Sequence, residues 1–531
     1  MTDAGARFHG LPQVVIERLQ AAEAALQQRD FGRAIEAARA ALQSAPDHPE
    51  VLHCLARALS ARGASAEALA LIQRAAAALP DDAPTINTLA VILDVNGQRD
   101  AAVSAFRRAS DLAPESADVA YNFGRILSHV GRLEESQQEL ERALALNPAQ
   151  RMARAALVEV LRQRGCTADA VAQCRRLLND NPADFKAWSA LAGISQHRFD
   201  AGEIAAMERV AGDPALGLEG RVRLGFALGR AYEDAGRHAA AFAAYRDANA
   251  AIRAQRPWDA AAHSAEVDAI LAAFPRAEPV DDPQRGSDVI FLVSLPRAGS
   301  TLVEQILASH PQVEGGDERM DLLNVIAEEG QRRRQPLSRW AAQAGAGDWR
   351  RLGERYLERS ARWRSGKPIL TDKLPGNWLW LGAAMAMLPG ARVVECRRDP
   401  LETAWSCFCQ IFADGAQQFS YDFASIGSFF RDYERSMRHW RTLYPARIYT
   451  QTHEALLEDF DAQVRALLGS CGLTFDPACL EFHETRRNIR TISSTQVREP
   501  LRRDTARAAR CGPLLDPLRA ALGLAAYSAH G

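Results

Sequence analysis

A regular spacing of turn residues in the first half of the chain constrains its fold more than any other feature. Five prolines and four glycines recur at intervals of 34 residues: Pro46, Pro80, Pro114, Pro148, Pro182, Gly63, Gly97, Gly131 and Gly165. Alanines stand five or twelve positions before most of these prolines. Glycine allows a tight turn between paired helices, and proline ends the second helix of a pair. The spacing therefore predicts a series of helix–turn–helix units.

This period resembles the tetratricopeptide repeat over about residues 15–184. Beyond Pro182 the period decays, although 224–253 is expected to form one more helical pair that turns at Gly236. We therefore expect an N-terminal extension over 1–14 and an all-α tetratricopeptide solenoid over 15–257, with degenerate repeats at its C-terminal end. Residues 258–286, which include a stretch rich in Pro, Asp and Arg, are predicted to form a helix and a linker.

The solenoid itself indicates a partner of a general kind. Such arrays have a concave face, and their usual role is to bind a peptide or another protein. The repeats are therefore predicted to recruit a peptide or protein acceptor or a partner. The alternative is that they only support the second domain or a homodimer.

Composition excludes several classes of protein. The chain has 531 residues, of which 47% are hydrophobic, and a formal net charge of −2. Disorder is excluded because apolar material for a core is ample, and a dedicated nucleic-acid binder would be more basic. The longest apolar runs, at 289–295 and 381–388, are too short to span a membrane. Nine cysteines without a CxxC pair, and a start without an apolar signal core, predict a cytoplasmic protein.

The second half changes character after the linker. Residues 288–294 form a short apolar run rich in β-branched residues, residues 392–396 form another, and 448–450 form a third. Helical patterns separate these runs. Strands that alternate with helices are typical of a parallel α/β sheet. We therefore expect an α/β domain with a central parallel sheet over residues 287–531.

The loop after the first predicted strand is suited to binding a phosphate. It reads LPRAGST and is followed by a predicted helix, so backbone N–H groups at the helix start could hold an anion. Gly299 permits close approach, Ser300 and Thr301 offer hydroxyl groups, and Arg297 adds a charged fork. The nucleotide-triphosphatase loop G-x-x-x-x-G-K-[ST] is not matched, because the lysine and one glycine are missing. An ordinary strand-to-helix turn remains the alternative.

This loop and three later motifs occur in the order found in one family. The segment FLVSLPRAGSTLVEQILASHPQVEGGDE resembles the donor loop of sulfotransferases that use 3′-phosphoadenosine 5′-phosphosulfate (PAPS). It resembles in particular the tyrosylprotein sulfotransferase branch and its bacterial relatives that carry tetratricopeptide repeats. The motifs TDKLPGNW, RRDPLETAWS and ISSTQVREP then follow, so the resemblance covers about residues 287–500. It implies a P-loop-like sulfotransferase domain.

The resemblance also implies roles for individual residues. The donor loop would bind the 5′-phosphosulfate through Arg297, Ala298, Gly299, Ser300 and Thr301. Glu318 would be the general base, although Asp317 stands where the family has a glutamate. Lys373, Arg297 and Ser494 would stabilise the transition state. No metal is expected.

The 3′-phosphate would be held by Arg398 and Ser406, and Ser493, in a late segment beside the active site, would also contact PAPS. Each implied role has a simpler alternative. Glu318 could be a solvated carboxylate, and Arg398 could pair with Asp399 or Glu402. Ser493 and Ser494 could cap a turn.

The resemblance predicts transfer of a sulfuryl group from PAPS to an acceptor hydroxyl, with a peptide or protein tyrosine as the expected acceptor. A glycan or small-molecule hydroxyl, an ATP-dependent phosphotransferase and a non-catalytic repeat scaffold remain alternatives. The distribution of lysine residues supports sulfuryl transfer from PAPS. Only three of the 64 basic residues are lysines, namely Lys186, Lys367 and Lys373. An ammonium group is not interchangeable with a guanidinium, which singles out Lys373.

Overall fold

The computed structural model describes residues 8–277, 282–364, 366–412, 415–485, 487, 496–502 and 506–528. The chain divides into two compact units, Met1–Leu177 and Leu178–Gly531.

The first unit consists of antiparallel helix pairs. Its helices are α1 (Gln13–Gln27), α2 (Phe31–Ser44), α3 (Pro49–Ala61), α4 (Ser65–Ala78), α5 (Ala83–Val95), α6 (Arg99–Leu112), α7 (Ala117–Val130), α8 (Leu133–Leu146), α9 (Arg151–Arg164) and α10 (Thr167–Asp180). The four periodic glycines lie between paired helices with φ between 77° and 90°, a region that disfavours side chains. The recurring alanines are buried where helices meet, as at Ala34, Ala68 and Ala102. The predicted helical repeats are thus confirmed.

Helices also open the second unit. They are α11 (Phe185–Ala192), α12 (Ala201–Ala211), α13 (Leu218–Asp234), α14 (His238–Gln255) and α15 (Ala260–Ala273), and α13 and α14 form the pair predicted to turn at Gly236. These helices share a core with the sheet that follows. The ring of Phe242 stacks on Trp405 at 6.1 Å, and Asn249 donates a 2.9 Å hydrogen bond to the carbonyl of Phe408. The division into compact units therefore falls earlier than the repeat boundary that the sequence predicts near residue 257.

The second unit is built on a parallel sheet, as predicted. Its strands are β1 (Val289–Ser294), β2 (Val313–Gly315), β3 (Ile369–Lys373), β4 (Arg392–Arg397) and β5 (Ile448–Thr452), in the order β2-β3-β1-β4-β5. All residues of β1 are buried because the strand is central and covered on both faces. Parallel strands end at the same edge, so the loops after β1, β3 and β4 are neighbours.

Helices cover both faces of this sheet. They are α16 (Ser300–Ala308), α17 (Asp321–Arg333), α18 (Leu337–Trp340), α19 (Ala346–Ala361), α20 (Leu381–Met387), α21 (Pro400–Phe408), α22 (Phe423–Leu443), α23 (His453–Glu458), α24 (Phe460–Ser470) and α25 (Asp516–Leu522). Alternate residues of β1 serve the two cores. Ile290 and Leu292 pack with α16 and α24, and Phe291 and Val293 pack with α22. Among the helices in the described ranges, none has both the length and the hydrophobicity needed to cross a bilayer.

Candidate active site

The predicted donor loop joins β1 to α16. Two of its residues have left-handed backbone conformations, with φ of 69° at Arg297 and 95° at Gly299. A non-glycine residue in this region is uncommon and often marks a functional turn. Gly299 caps α16 without a side-chain hydrogen bond, and Ser300 and Thr301 in the first turn are buried. The start of a helix favours an anion, so this loop is suited to a phosphate or sulfate group.

Helix α21 fixes the loop from one side. The Nε of Arg297 donates to the Oγ of Ser406 at 3.1 Å, and the Sγ of Cys407 donates to the carbonyl of Pro296 at 3.3 Å. Burial lowers the pKa of Arg297 to about 10, so its guanidinium remains charged at neutral pH. Two residues that the sequence predicts to bind PAPS, Arg297 and Ser406, are thereby brought together.

Arg398 follows directly after β4, at the same edge of the sheet. It is half-buried, and its Nη2 lies 3.7 Å from the Oε2 of Glu402, the ion pair that the sequence offered as its simpler alternative. The same carboxylate accepts hydrogen bonds from the backbone N–H groups of Arg507 and Ala508, at 2.9 and 2.7 Å. Glu402 therefore ties the segment after β4 to the C-terminal part of the unit.

Two further groups near these arginines were not predicted as site residues, and the first of them, His453, was expected only to pack at a strand end. His453 begins α23, and a Cβ atom on Gly299 would lie 3.6 Å from its Nδ1. Burial, helped by the charge of Arg398, lowers the pKa of His453 to about 4, so the ring is neutral at physiological pH.

The other group is the guanidinium of Arg507, which pairs with the carboxylate of Glu233. Burial lowers the pKa of Arg507, but the Glu233 charge more than offsets this, so the pKa lies above its ordinary range. The signal for Arg507 was an arginine-rich C-terminal segment that did not match the family pattern.

Lys373 and Glu318 meet on the other side of the donor loop. The Lys373 Nζ lies 2.9 Å from the Oε1 of Glu318 and 3.4 Å from the Oδ1 of Asp317. The lysine is 0% exposed, whereas the Glu318 side chain is 44% exposed and thus within reach of an acceptor. Burial lowers the pKa of Lys373, but Glu304, Glu318 and Asp317 raise it by more, so the pKa is raised overall. The ammonium is therefore charged.

A cavity of about 530 Å³ lies beside the donor loop. Leu295 and Ala298 of the loop line it together with Arg398 and two residues of α22, Phe430 and Arg431. From the sequence alone, α22 was not assigned to the site, because its arginines are spread along what reads as an ordinary amphipathic helix. Ser493 and Ser494, the remaining predicted site residues, lie outside the described residues.

Comparison with known families identifies a domain in each unit. Residues 289–477 match the model of the sulfotransferase family, which spans the donor loop, Glu318, Lys373 and the segment after β4. The second unit contains a sulfotransferase domain. Residues 25–90 and 96–155 of the first unit match the tetratricopeptide repeat. The sulfotransferase domain thus follows a set of protein-interaction repeats.

A curated relative covers part of the chain. It is an uncharacterized protein of Aquifex aeolicus (strain VF5), and it is 29% identical over 320 residues. The match includes 57% of this chain but 41% of the relative, so the chain spans about two fifths of the relative's length.

Solved repeat structures resemble the chain over a third to a half of its length. A thermophilic tetratricopeptide repeat protein of Thermus thermophilus is 22% identical and has a TM-score of 0.30, covering 33% of this chain and 94% of its own. A tetratricopeptide repeat protein of Parabacteroides merdae is 17% identical with a TM-score of 0.33, covering 45% and 93%.

Proposed function

We propose that this protein transfers the sulfuryl group of PAPS to the hydroxyl group of an acceptor. The observation that carries the proposal is the buried ammonium of Lys373, held against Glu318 at the end of β3. In the sheet register Lys373 is opposite Leu292, three residues before the donor loop begins at Leu295. A cation, a carboxylate and an anion-binding loop therefore share one edge of the sheet.

These groups are suited to an in-line displacement at sulfur. Glu318 accepts the proton of the acceptor hydroxyl, whose oxygen forms a bond to sulfur. The bond between sulfur and the bridging oxygen of the 5′-phosphate breaks, and 3′-phosphoadenosine 5′-phosphate (PAP) leaves with that electron pair. Lys373 and Arg297, with Ser494, stabilise the charge that develops on the sulfuryl and leaving oxygens.

A second anion site would select PAPS over nucleotides that lack a 3′-phosphate. Arg398 and Ser406 are the proposed ligands of this phosphate. The arrangement supports the assignment, because Ser406 already contacts Arg297 and because both Arg398 and Arg507 lie close enough to lower the pKa of Arg297 through charge repulsion. Several arginines at one edge of the sheet favour a dianionic group.

We further propose that the acceptor is a peptide or protein tyrosine recruited by the repeats. A groove of about 470 Å³ in the first unit supports this, because it combines apolar and polar side chains, including Phe31, Ile92, Arg57 and Asn87. An extended peptide offers both kinds of group. Recruitment would raise the local concentration of the acceptor without adding a contact at the sulfuryl group.

The test is a transfer assay with radiolabelled PAPS and three acceptors: a tyrosine peptide, a glycan and a small phenol. Lys373→Ala should lower transfer about 10³-fold, since it removes a buried cation at the developing charge, and Glu318→Gln about 10²-fold. The matched control is Lys186→Ala, because Lys186 is an exposed lysine 3.9 Å from Glu219 and should leave transfer unchanged.

Binding provides an independent measurement. PAP should raise the midpoint of thermal unfolding more than ADP does, since only PAP fills the 3′-phosphate site. Transfer to the glycan alone would contradict the tyrosine acceptor but keep sulfuryl transfer. The absence of PAP binding together with transfer to none of the three acceptors would contradict the whole proposal.

A further inference from the structure

Glu304 is a buried carboxylate to which the mechanism above gives no role. It lies in α16, one turn after the donor loop, and it is 0% exposed. An ionised carboxylate in such a place costs much solvation energy unless several groups bind it. The identity of those groups shows what the charge is for.

One oxygen of Glu304 holds the turn that carries Glu318. Its Oε1 accepts hydrogen bonds from the backbone N–H of Asp317 at 2.8 Å and from the hydroxyl of Thr371 at 3.0 Å. The same hydroxyl oxygen accepts the backbone N–H of Gly316 at 3.0 Å. Helix α16, strand β3 and the turn 316–318 are therefore joined through one carboxylate oxygen.

The other oxygen of Glu304 forms an ion pair with an arginine that lies outside the turn. Its Oε2 accepts a 2.7 Å hydrogen bond from the Nη2 of Arg487, whose Nε donates to the Oε1 of Gln305 at 2.7 Å. The ion pair compensates the buried charge. It also leaves Oε1 oriented toward the turn.

The turn needs this support because its backbone is strained. Asp317 has a φ of 61°, a conformation that costs energy for a residue with a side chain. Its carbonyl accepts the backbone N–H of Lys373 at 3.3 Å, so the turn is held on both sides. In this conformation both Asp317 and Glu318 reach the Lys373 ammonium.

We propose that Glu304 is a positioning residue of the active site, whose carboxylate fixes the turn 316–318 and so places Glu318 beside Lys373. The catalytic part of this inference rests on the proposed sulfuryl transfer, whereas the structural part does not. The charge of Glu304 adds to the effect, because it is the first of three carboxylates that raise the pKa of Lys373 against its burial.

The matched control is Glu329, a second buried carboxylate of the same unit. It is 2% exposed and binds Arg332, Arg333 and Arg351, well separated in the sequence from the donor loop. Glu304→Gln and Glu329→Gln each remove one buried negative charge that is paired with arginine. Only Glu304→Gln should affect the turn.

Two measurements separate the structural and the catalytic parts. Hydrogen exchange of a peptide that covers residues 315–320 should become about 10- to 100-fold faster in Glu304→Gln. The NH2 group of glutamine is a donor and cannot accept the Arg487 hydrogen bond, so the side chain should move and its hydrogen bond to the Asp317 N–H should weaken. The kcat should fall about 100-fold while PAP affinity stays within about threefold, since a misplaced base affects the transition state more than donor binding. Glu329→Gln should change neither exchange nor kcat.

A pair of double variants keeps the test decisive if Glu304→Gln does not fold. Glu304→Gln with Arg487→Met retains an acceptor for Asp317 without the buried charges, and Glu304→Leu with Arg487→Met does not. Faster exchange at 315–320 in the leucine variant alone is expected. Equal exchange in the two double variants, or equal exchange in wild type and Glu304→Gln, would overturn the inference. A wild type without sulfuryl transfer would overturn the proposed function alone, because exchange would still report on the turn.

Discussion

The two units of this protein place their charges differently. In the repeats, many arginine–carboxylate pairs lie at the surface, and Arg108 and Asp81, for example, pair at 3.1 Å with side chains 53% and 80% exposed. In the sulfotransferase unit, Glu304 and Lys373 are fully buried and joined through the turn at Asp317. Exposed pairs contribute little to stability, whereas buried charges are costly and cluster at functional sites.

The contrast shows where substitutions should matter. In the repeats, order comes from small residues that recur every 34 positions and pack where helices meet, so each side chain has many equivalents. In the second unit, which contains the sulfotransferase domain, the site depends on hydrogen bonds made by individual side chains such as Glu304. The predictions below compare substitutions of the same chemical kind in the two units, or at two places in one unit.

The largest expected difference concerns two glycines. A Cβ atom on Gly316 would lie 2.0 Å from the backbone carbonyl oxygen of Thr371, so β2 and β3 would have to separate. Gly97 has φ of 77° but nothing within 4 Å of its Cβ position. We expect Gly316→Ala to cost about 3 kcal/mol of unfolding free energy and most of the transfer activity. Gly97→Ala should cost about 1 kcal/mol, from its backbone conformation alone, and leave transfer unchanged.

The two glycine variants can be measured by separate probes. All nine tryptophans lie between residues 188 and 440, in the second unit, so tryptophan fluorescence reports that unit alone. Gly316→Ala should shift the fluorescence transition in urea, and Gly97→Ala should shift only the far-UV circular dichroism. A Gly316→Ala protein with a normal transition and normal transfer would show that the turn 316–318 is not a fixed element.

The same contrast explains how much of the molecule could be predicted from its sequence. Periodicity predicted the helical pairs, because turn residues and small residues recur in register. The strands β1, β4 and β5 were predicted from their apolar residues. Strand β2 has only three residues, and β3 reads ILTDK with buried polar side chains, so neither shows an apolar run.

Within the site, the resemblance to a family supplied Arg297, Glu318 and Lys373, and the structure brings the last two together. The contacts of Glu304 could not be predicted, because its partners Asp317, Thr371 and Arg487 are 13, 67 and 183 residues away in the sequence. Such contacts depend on strand order, which no local pattern encodes.

A medium effect is expected at Glu329. Hydrogen bonds from Arg332 lower the pKa of this carboxyl from 4.5 to about 2, against its burial and with help from Arg333 and Arg351. A pKa that is lower in the folded state stabilises the protein above pH 4.5, and this stabilisation is lost as the pH falls toward 2. We expect Glu329→Gln to cost about 2 kcal/mol at pH 6 and progressively less below pH 4.5. Urea unfolding followed by tryptophan fluorescence at pH 6, 4 and 3 measures this, and a cost that does not change with pH would contradict it.

The smallest effect is expected for the exposed pair of the repeats. Arg108→Ala removes an ion pair with Asp81 that links α6 to the turn after α4, and both side chains are mostly in solvent. Water screens the attraction and ordering two long side chains costs entropy, so the loss should be below about 0.5 kcal/mol. Hydrogen exchange of a peptide covering α6 should therefore change less than about threefold in Arg108→Ala and not at all in 0.5 M salt, where screening already weakens the wild-type pair. A larger, salt-independent change would mean that Arg108 stabilises the repeat by packing its aliphatic stem. The difference between the two units would then depend on how much side-chain area is buried, and not on where the charges lie.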